Sequence, residues 1–222
     1  MNKKRIIDYQ EMLNTPIEEN GEDLMCIQEQ TDEIICEYEK EDMIPYTGDK
    51  MYARATVVKK LIKANNLLKQ KDNNQKLRVV YAYRHPEIQE KYFKNKKQEL
   101  REENPNLRGK ELNALVHNFV AVPKVAGHPT GGAVDLTITS PKGDLDMGTG
   151  IADYSDKDKI KTFSDKVTEK QKENRNLLRE VMLEAGFAPF NGEWWHFSYG
   201  DREWAVYYDK NHAIYDQILI KK

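Results

Sequence analysis

Between residues 54 and 70 the apolar positions Val57, Val58, Leu61, Ile62 and Leu68 recur near a 3.6-residue period, with lysines opposite them. That spacing predicts an amphipathic helix. Residues 77–83 then read Leu-Arg-Val-Val-Tyr-Ala-Tyr, a β-branched and aromatic run that predicts a strand. Pro86 suits a first helical position, and a charged helix is predicted from there to about residue 103, where Asn104-Pro105-Asn106 breaks it. A further helix is predicted over 109–119. Residues 134–139 alternate apolar and polar, as a half-buried strand does. Glycines and aspartates make 141–153 a loop. Thr168 with Gln171 forms a capping box, Leu177, Leu178, Val181, Met182 and Ala185 share one helical face, and Gly186 suits the stop. Residues 193–199 and 204–208 predict the two strands of a hairpin, with Asp201 in its turn. Upstream, a short helix within 5–13, strand-like residues 33–38 and a turn at 45–49 are expected. Acidic residues from Glu18 to Asp42 read as a solvated edge. Helices with mostly hairpin-connected strands predict an α+β fold. No shift of composition divides the chain, so one domain over 1–222 is expected, with 1–45 as an N-terminal extension.

Composition narrows the function classes. The chain has 222 residues, enough for a sizeable core. Its 35 basic and 37 acidic residues leave a net charge of -2, without the basic excess of a duplex binder, so no nucleic-acid partner is expected. No apolar run approaches the ~18 residues of a membrane span, and no membrane partner is expected. The basic start of the chain is not followed by a signal-like apolar core. Cys26 and Cys36 cannot make a disulfide framework. A reducing, cytoplasmic location is the expectation.

Three segments carry chemistry-bearing residues. Gly127-His128-Pro129-Thr130-Gly131-Gly132-Ala133-Val134-Asp135 places an imidazole and a carboxylate on either side of a glycine pair at the mouth of a strand. The glycines allow a sharp turn that could bring His128 back beside Asp135 as a partial metal set. Taken alone, the plainer reading is a turn histidine and a surface aspartate. Glu193-Trp194-Trp195-His196-Phe197 sets Glu and His in an apolar shell, where each needs a partner or a metal. His196 could be a third ligand and Glu193 a general base, with Glu193 at the strand entrance or on a bulge because i and i+3 of a regular strand face opposite ways. A structural aromatic strand with a satisfied histidine is the equal alternative. Arg84, at a strand end, could stabilise an oxyanion or simply make a salt bridge. His85, His117 and His212 fit no second metal set.

In this order, the segments resemble the D-alanyl-D-alanine dipeptidases, zinc peptidases of the Hedgehog/DD-peptidase fold. The family pattern Ser-x-His-x-x-Gly-x-Ala-x-Asp is met by His128, Gly131, Ala133 and Asp135, the later Glu-x-x-His by Glu193 and His196, and the upstream Tyr-Arg by Tyr83 and Arg84. The Asp146-Met147-Gly148-Thr149 stretch is similar to the family's following loop, and the likeness runs from about Tyr46 to about Trp204. The resemblance implies a small antiparallel sheet flanked by helices, with one zinc in a cleft on the sheet. It implies His128, Asp135 and His196 as zinc ligands, Glu193 as catalytic base and Arg84 as transition-state stabiliser. It further implies a peptidase that hydrolyses D-Ala-D-Ala, or a similar short D-amino-acid dipeptide, through a metal-activated water.

Three positions depart from the pattern. The family serine before the first histidine is Ala126, the acid three residues before the arginine is Tyr81, and the loop aspartate is displaced, with Asp153 nearest. The zinc set is complete, whereas the apparatus for a free dipeptide's ammonium is not. A DD- or LD-carboxypeptidase trimming muropeptides is therefore the alternative, and a non-catalytic zinc-holding module a second one.

Overall fold

The computed structural model describes residues 5–220. The chain runs through α1 (Tyr9–Asn14), β1 (Leu24–Cys26), β2 (Ile35–Cys36), α2 (Ile44–Thr47), β3 (Tyr52–Arg54), α3 (Ala55–Lys71), β4 (Lys76–Tyr81), α4 (Pro86–Glu103) and α5 (Gly109–His117). It continues through β5 (Ala133–Ser140), β6 (Gly143–Asp144), α6 (Glu169–Ala185), β7 (Ala188–Pro189), β8 (His196–Ser198) and α7 (Arg202–Tyr207). The architecture is α+β, as the pattern predicted. Among the described residues one sheet has the order β2-β4-β5-β8-β7, with β6 on β5, and β1 pairs with β3 separately. The sheet is antiparallel except at its β2 edge, where β2 runs parallel to β4.

The amphipathic helices form as their spacing dictates. α3 buries Val57, Val58, Leu61 and Leu68, and α6 buries Leu178, Val181 and Met182, against Leu77, Val79, Val134, Leu136 and Ile138 of the sheet. Both bonds of the Thr168–Gln171 capping box are present, and Gly186 ends α6 in the left-handed region. Pro86 is the first residue of α4.

Three expectations are corrected. β5 is buried on both faces. Its alternation reports chemistry rather than exposure: Val134, Leu136 and Ile138 face the helices, while Asp135, Thr137 and Thr139 are polar yet also covered. Residues 204–207 belong to α7, whose N-cap is Asp201 and whose C-cap is Tyr208, so no hairpin follows β8. The aromatic, β-branched composition suggested a strand, but the Asp201 carboxylate accepts from Trp204 N–H at 2.9 Å and starts a helix. The strand at 33–38 shrinks to Ile35–Cys36.

The N-terminal residues are part of this packing. Tyr9 and Met12 of α1 join Phe93, Leu100, Leu112 and Val116 in a second cluster. Buried Arg54 ties distant segments together, donating to Glu19, Thr130 O and Asp216 O. Among the described residues no helix is long and apolar enough to cross a membrane.

Candidate active site

Sheet register assembles the site around Asp135. Its partner on β8 is His196, and its partner on β4, beyond a register shift between Val79 and Tyr81, is Tyr81. Cross-strand neighbours of this kind share a face. His128 arrives from a short 3-10 turn, His128–Thr130, just ahead of β5. Gly131 closes that turn at φ 72°, where a Cβ would meet Leu24 at 2.4 Å, and a Cβ on Gly132 would meet Tyr199 O at 2.6 Å. The glycine pair therefore serves the turn the sequence implied. His128, Asp135 and His196 offer ligand atoms that lie within 4.8 Å of one another.

The proton inventory of this trio favours a cation. His128 Nδ1 lies 2.7 Å from Ala82 O, which can only accept, so Nδ1 carries the hydrogen. Burial lowers the His128 pKa and keeps the ring neutral. Its Nε2 lone pair then faces Asp135 Oδ2 at 3.2 Å, acceptor against acceptor. His196 Nδ1 lies 2.9 Å from Asp135 Oδ1, and its Nε2 lies 3.5 Å from Glu203 Oε2. Burial opposes charge on His196, but hydrogen bonds to Asp135 and Glu203 outweigh it and hold its pKa well above the usual value. Asp135 is held well below the carboxylate range although burial opposes its charge, and the His196 Nδ1–H that it accepts supplies part of that pull. A divalent cation in place of the His196 Nδ1 proton would satisfy Nδ1, the carboxylate and His128 Nε2 at once. Two imidazoles and a carboxylate suit zinc. Each histidine's other nitrogen already has an acceptor, Ala82 O or Glu203, as ligating histidines require.

Glu193 stands in the turn before β8, at the strand entrance. Tyr154 OH donates to its Oε1 at 2.8 Å. Burial pushes Glu193 up to about 7, against the pull of His196 and of the Tyr154 hydroxyl. Arg84 follows β4 and shares with Glu193 and the trio a cavity of about 760 Å³. The lining also includes Tyr92, Lys96 and Leu100 from one face of α4, together with Met12 and His117. All five residues singled out in the sequence, His128, Asp135, Glu193, His196 and Arg84, thus line one cavity.

Other residues fall elsewhere. Asp153 is exposed and bonds Ser155 N–H, while its neighbour Tyr154 lines the cavity in its stead. His85 caps α4 and stacks on Tyr46, and His212 pairs with Glu18. Glu203 and Tyr154 escaped the sequence reading. The hairpin expectation concealed Glu203, although Asp201 ahead of it is an N-cap signal.

The profile of the D-ala-D-ala dipeptidase family matches residues 40–218. A D-alanyl-D-alanine dipeptidase of Synechocystis sp. is 37% identical over 101 residues, covering 41% of this chain and 41% of that protein. The similarity thus spans less than half the length of that relative. Among solved structures, the LD-carboxypeptidase LdcB is similar at 18% identity and a TM-score of 0.49, over 87% of this chain and 79% of the other. The vancomycin-resistance D,D-pentapeptidase VanY, solved with Zn(II), is similar at 18% identity and a TM-score of 0.41, over 73% and 82% of the two chains.

Proposed function

Since the chain belongs to the D-Ala-D-Ala dipeptidase family of metallopeptidases, we propose that it is a zinc peptidase acting on short peptides that contain D-amino acids. The observation that carries the reading is the trio His128, Asp135 and His196, in which lone pairs converge without protons enough to separate them. Zinc held by these three side chains would polarise the scissile carbonyl and lower the pKa of a water toward ~7. Glu193, in the same cavity as the trio, takes the proton of the attacking water and returns it to the departing amine. Tyr154 fixes the carboxylate through its hydroxyl. Arg84 presents its guanidinium to the oxygen on which negative charge develops. A cytoplasmic location is part of the proposal, in keeping with the free thiols of Cys26 and Cys36.

Free D-Ala-D-Ala is the first substrate to consider. A carboxypeptidase acting on a longer peptide is the second, and three observations favour it. Ala126 brings no hydroxyl to the cavity, exposed Asp153 does not line it, and a dipeptide fills only part of 760 Å³. The deciding experiment is D-alanine release by zinc-loaded protein from D-Ala-D-Ala and from a peptide ending in D-Ala-D-Ala, with Glu193→Ala alongside. Release that depends on both zinc and Glu193 is the expected result, and the better substrate chooses between the two readings. Zinc binding without hydrolysis of either would reduce the protein to a metal-holding module.

A further inference from the structure

Arg84 is held by an acid that does not touch it. The Asp42 carboxylate, in the 3-10 turn before α2, accepts from Tyr81 OH at 2.9 Å and 3.0 Å and also from Tyr92 OH. The rings of those two tyrosines cover the guanidinium, with Arg84 Cζ at 4.5 Å from the centroid of Tyr81 and 5.5 Å from that of Tyr92. Arg84 Nη1 donates to the neutral amide of Gln89 at 2.7 Å, and Gln89 is itself anchored on Ala121 O at 2.8 Å. Arg84 Nε is buried with no hydrogen-bond partner. Tyr81 comes from β4, Tyr92 and Gln89 from α4, and Asp42 from the segment that the sequence alone reads as a solvated acidic edge.

The arrangement separates two demands on a cation in a cleft. A carboxylate bound directly to the guanidinium would occupy its donors and quench its charge. Placed one ring away, the acid locks both tyrosines by charge-assisted bonds, and the rings fix the guanidinium plane by cation–π contact. Donors then remain for a substrate oxygen. We propose, building on the peptidase reading, that Asp42 is a positioning residue for Arg84, acting through Tyr81 and Tyr92. It supplies from the N-terminal segment a negative charge one ring away from the guanidinium.

The test is a double-mutant cycle on zinc-loaded protein: Asp42→Asn, Arg84→Ala and both together, with Tyr92→Phe as a second, milder lesion. Steady-state hydrolysis is measured beside the affinity for a phosphinate peptide, whose tetrahedral anion probes the oxyanion position. Asp42→Asn should lower kcat roughly 10- to 100-fold with KM within about twofold, and should weaken the phosphinate by a similar factor. In the Arg84→Ala background the same substitution should change neither. Wild-type kcat in Asp42→Asn, or an equal loss with and without Arg84, would overturn the proposal. Should Asp42→Asn not fold, Tyr92→Phe gives the same comparison, with a smaller loss that again requires Arg84. If the wild type cleaves no peptide, the peptidase reading fails on its own. Phosphinate affinity then decides, and Asp42→Asn binding as tightly as wild type rejects the positioning role.

Discussion

His196 lies between two carboxylates, and the proposed zinc site gives each a different role. Asp135 shares the ligand cluster with it, whereas Glu203 faces the ring nitrogen that points away from the cluster. Glu203→Gln keeps the shape but removes the charge that orients and enriches the imidazole. Zinc affinity should fall about 10- to 100-fold by chelator competition, while His196→Ala should lose the metal altogether. Unchanged affinity in Glu203→Gln would make that carboxylate a bystander. The contrast explains what could be read in advance. His128, Asp135, Glu193, His196 and Arg84 are chemical types in spaced motifs, so spacing and resemblance reach them. The roles proposed for Glu203, Tyr154 and Asp42 run through a neighbour that only the fold supplies. Nothing in the spacing of Asp42 and Arg84 announces that two tyrosine rings will join them.

At the scale of elements, the long segment between β6 and α6 has no regular period: its start reads as loop in the sequence, and the polar residues 154–168 predict no element. Its order comes from side chains of α6 instead of from regular structure. Arg175 donates to Met147 O, Lys159 O and Lys161 O, and Asn174 donates to Asp146 O. Trp194 Nε1–H adds a bond to Thr149. The segment is thus a loop held on a helical frame, and it delivers Tyr154 to Glu193. Arg175→Leu would leave three carbonyls without their donor. We expect a loss of about 2–4 kcal/mol in urea denaturation and faster proteolysis within the segment, with kcat falling more than KM as Tyr154 loosens. Stability within ~0.5 kcal/mol of wild type would show that the segment holds without Arg175. The misread hairpin has a related cause. Periodicity over the six residues of α7 is too short to outweigh aromatic composition, and the Asp201 cap carries the information.

Across the whole molecule, the far end of the cavity is joined to the N-terminal helix by a group that titrates. His117 ends α5, packs against Tyr9 of α1 with ring centroids 5.2 Å apart, and accepts Val122 N–H on Nδ1 at 3.1 Å. Protonation would remove that acceptor. Burial pushes its pKa from 6.5 down to about 4, with Asp8 pulling weakly the other way. Between those values the unfolded chain binds a proton that the folded chain does not, so stability rises with pH. The contribution of neutral His117 is complete above pH 6.5 and is lost as pH falls toward 4. At 1.36 kcal/mol per unit, the loss is about 2 kcal/mol at pH 5. Glu193 and Asp201 run in the opposite sense, because burial raises them to about 7 and about 6 and their neutral forms favour folding at lower pH. A comparison with His117→Gln, which keeps an acceptor but cannot titrate, cancels them. The urea midpoint of the wild type should fall more between pH 7 and pH 5 than that of His117→Gln, and parallel curves would remove His117 from the account. Met12 and His117 both line the cavity, so acid should loosen that wall while Asp135 and His196 stay paired in the central sheet. A longer peptide would then lose affinity at pH 5 before a dipeptide does, and the ratio of their KM values against pH measures it.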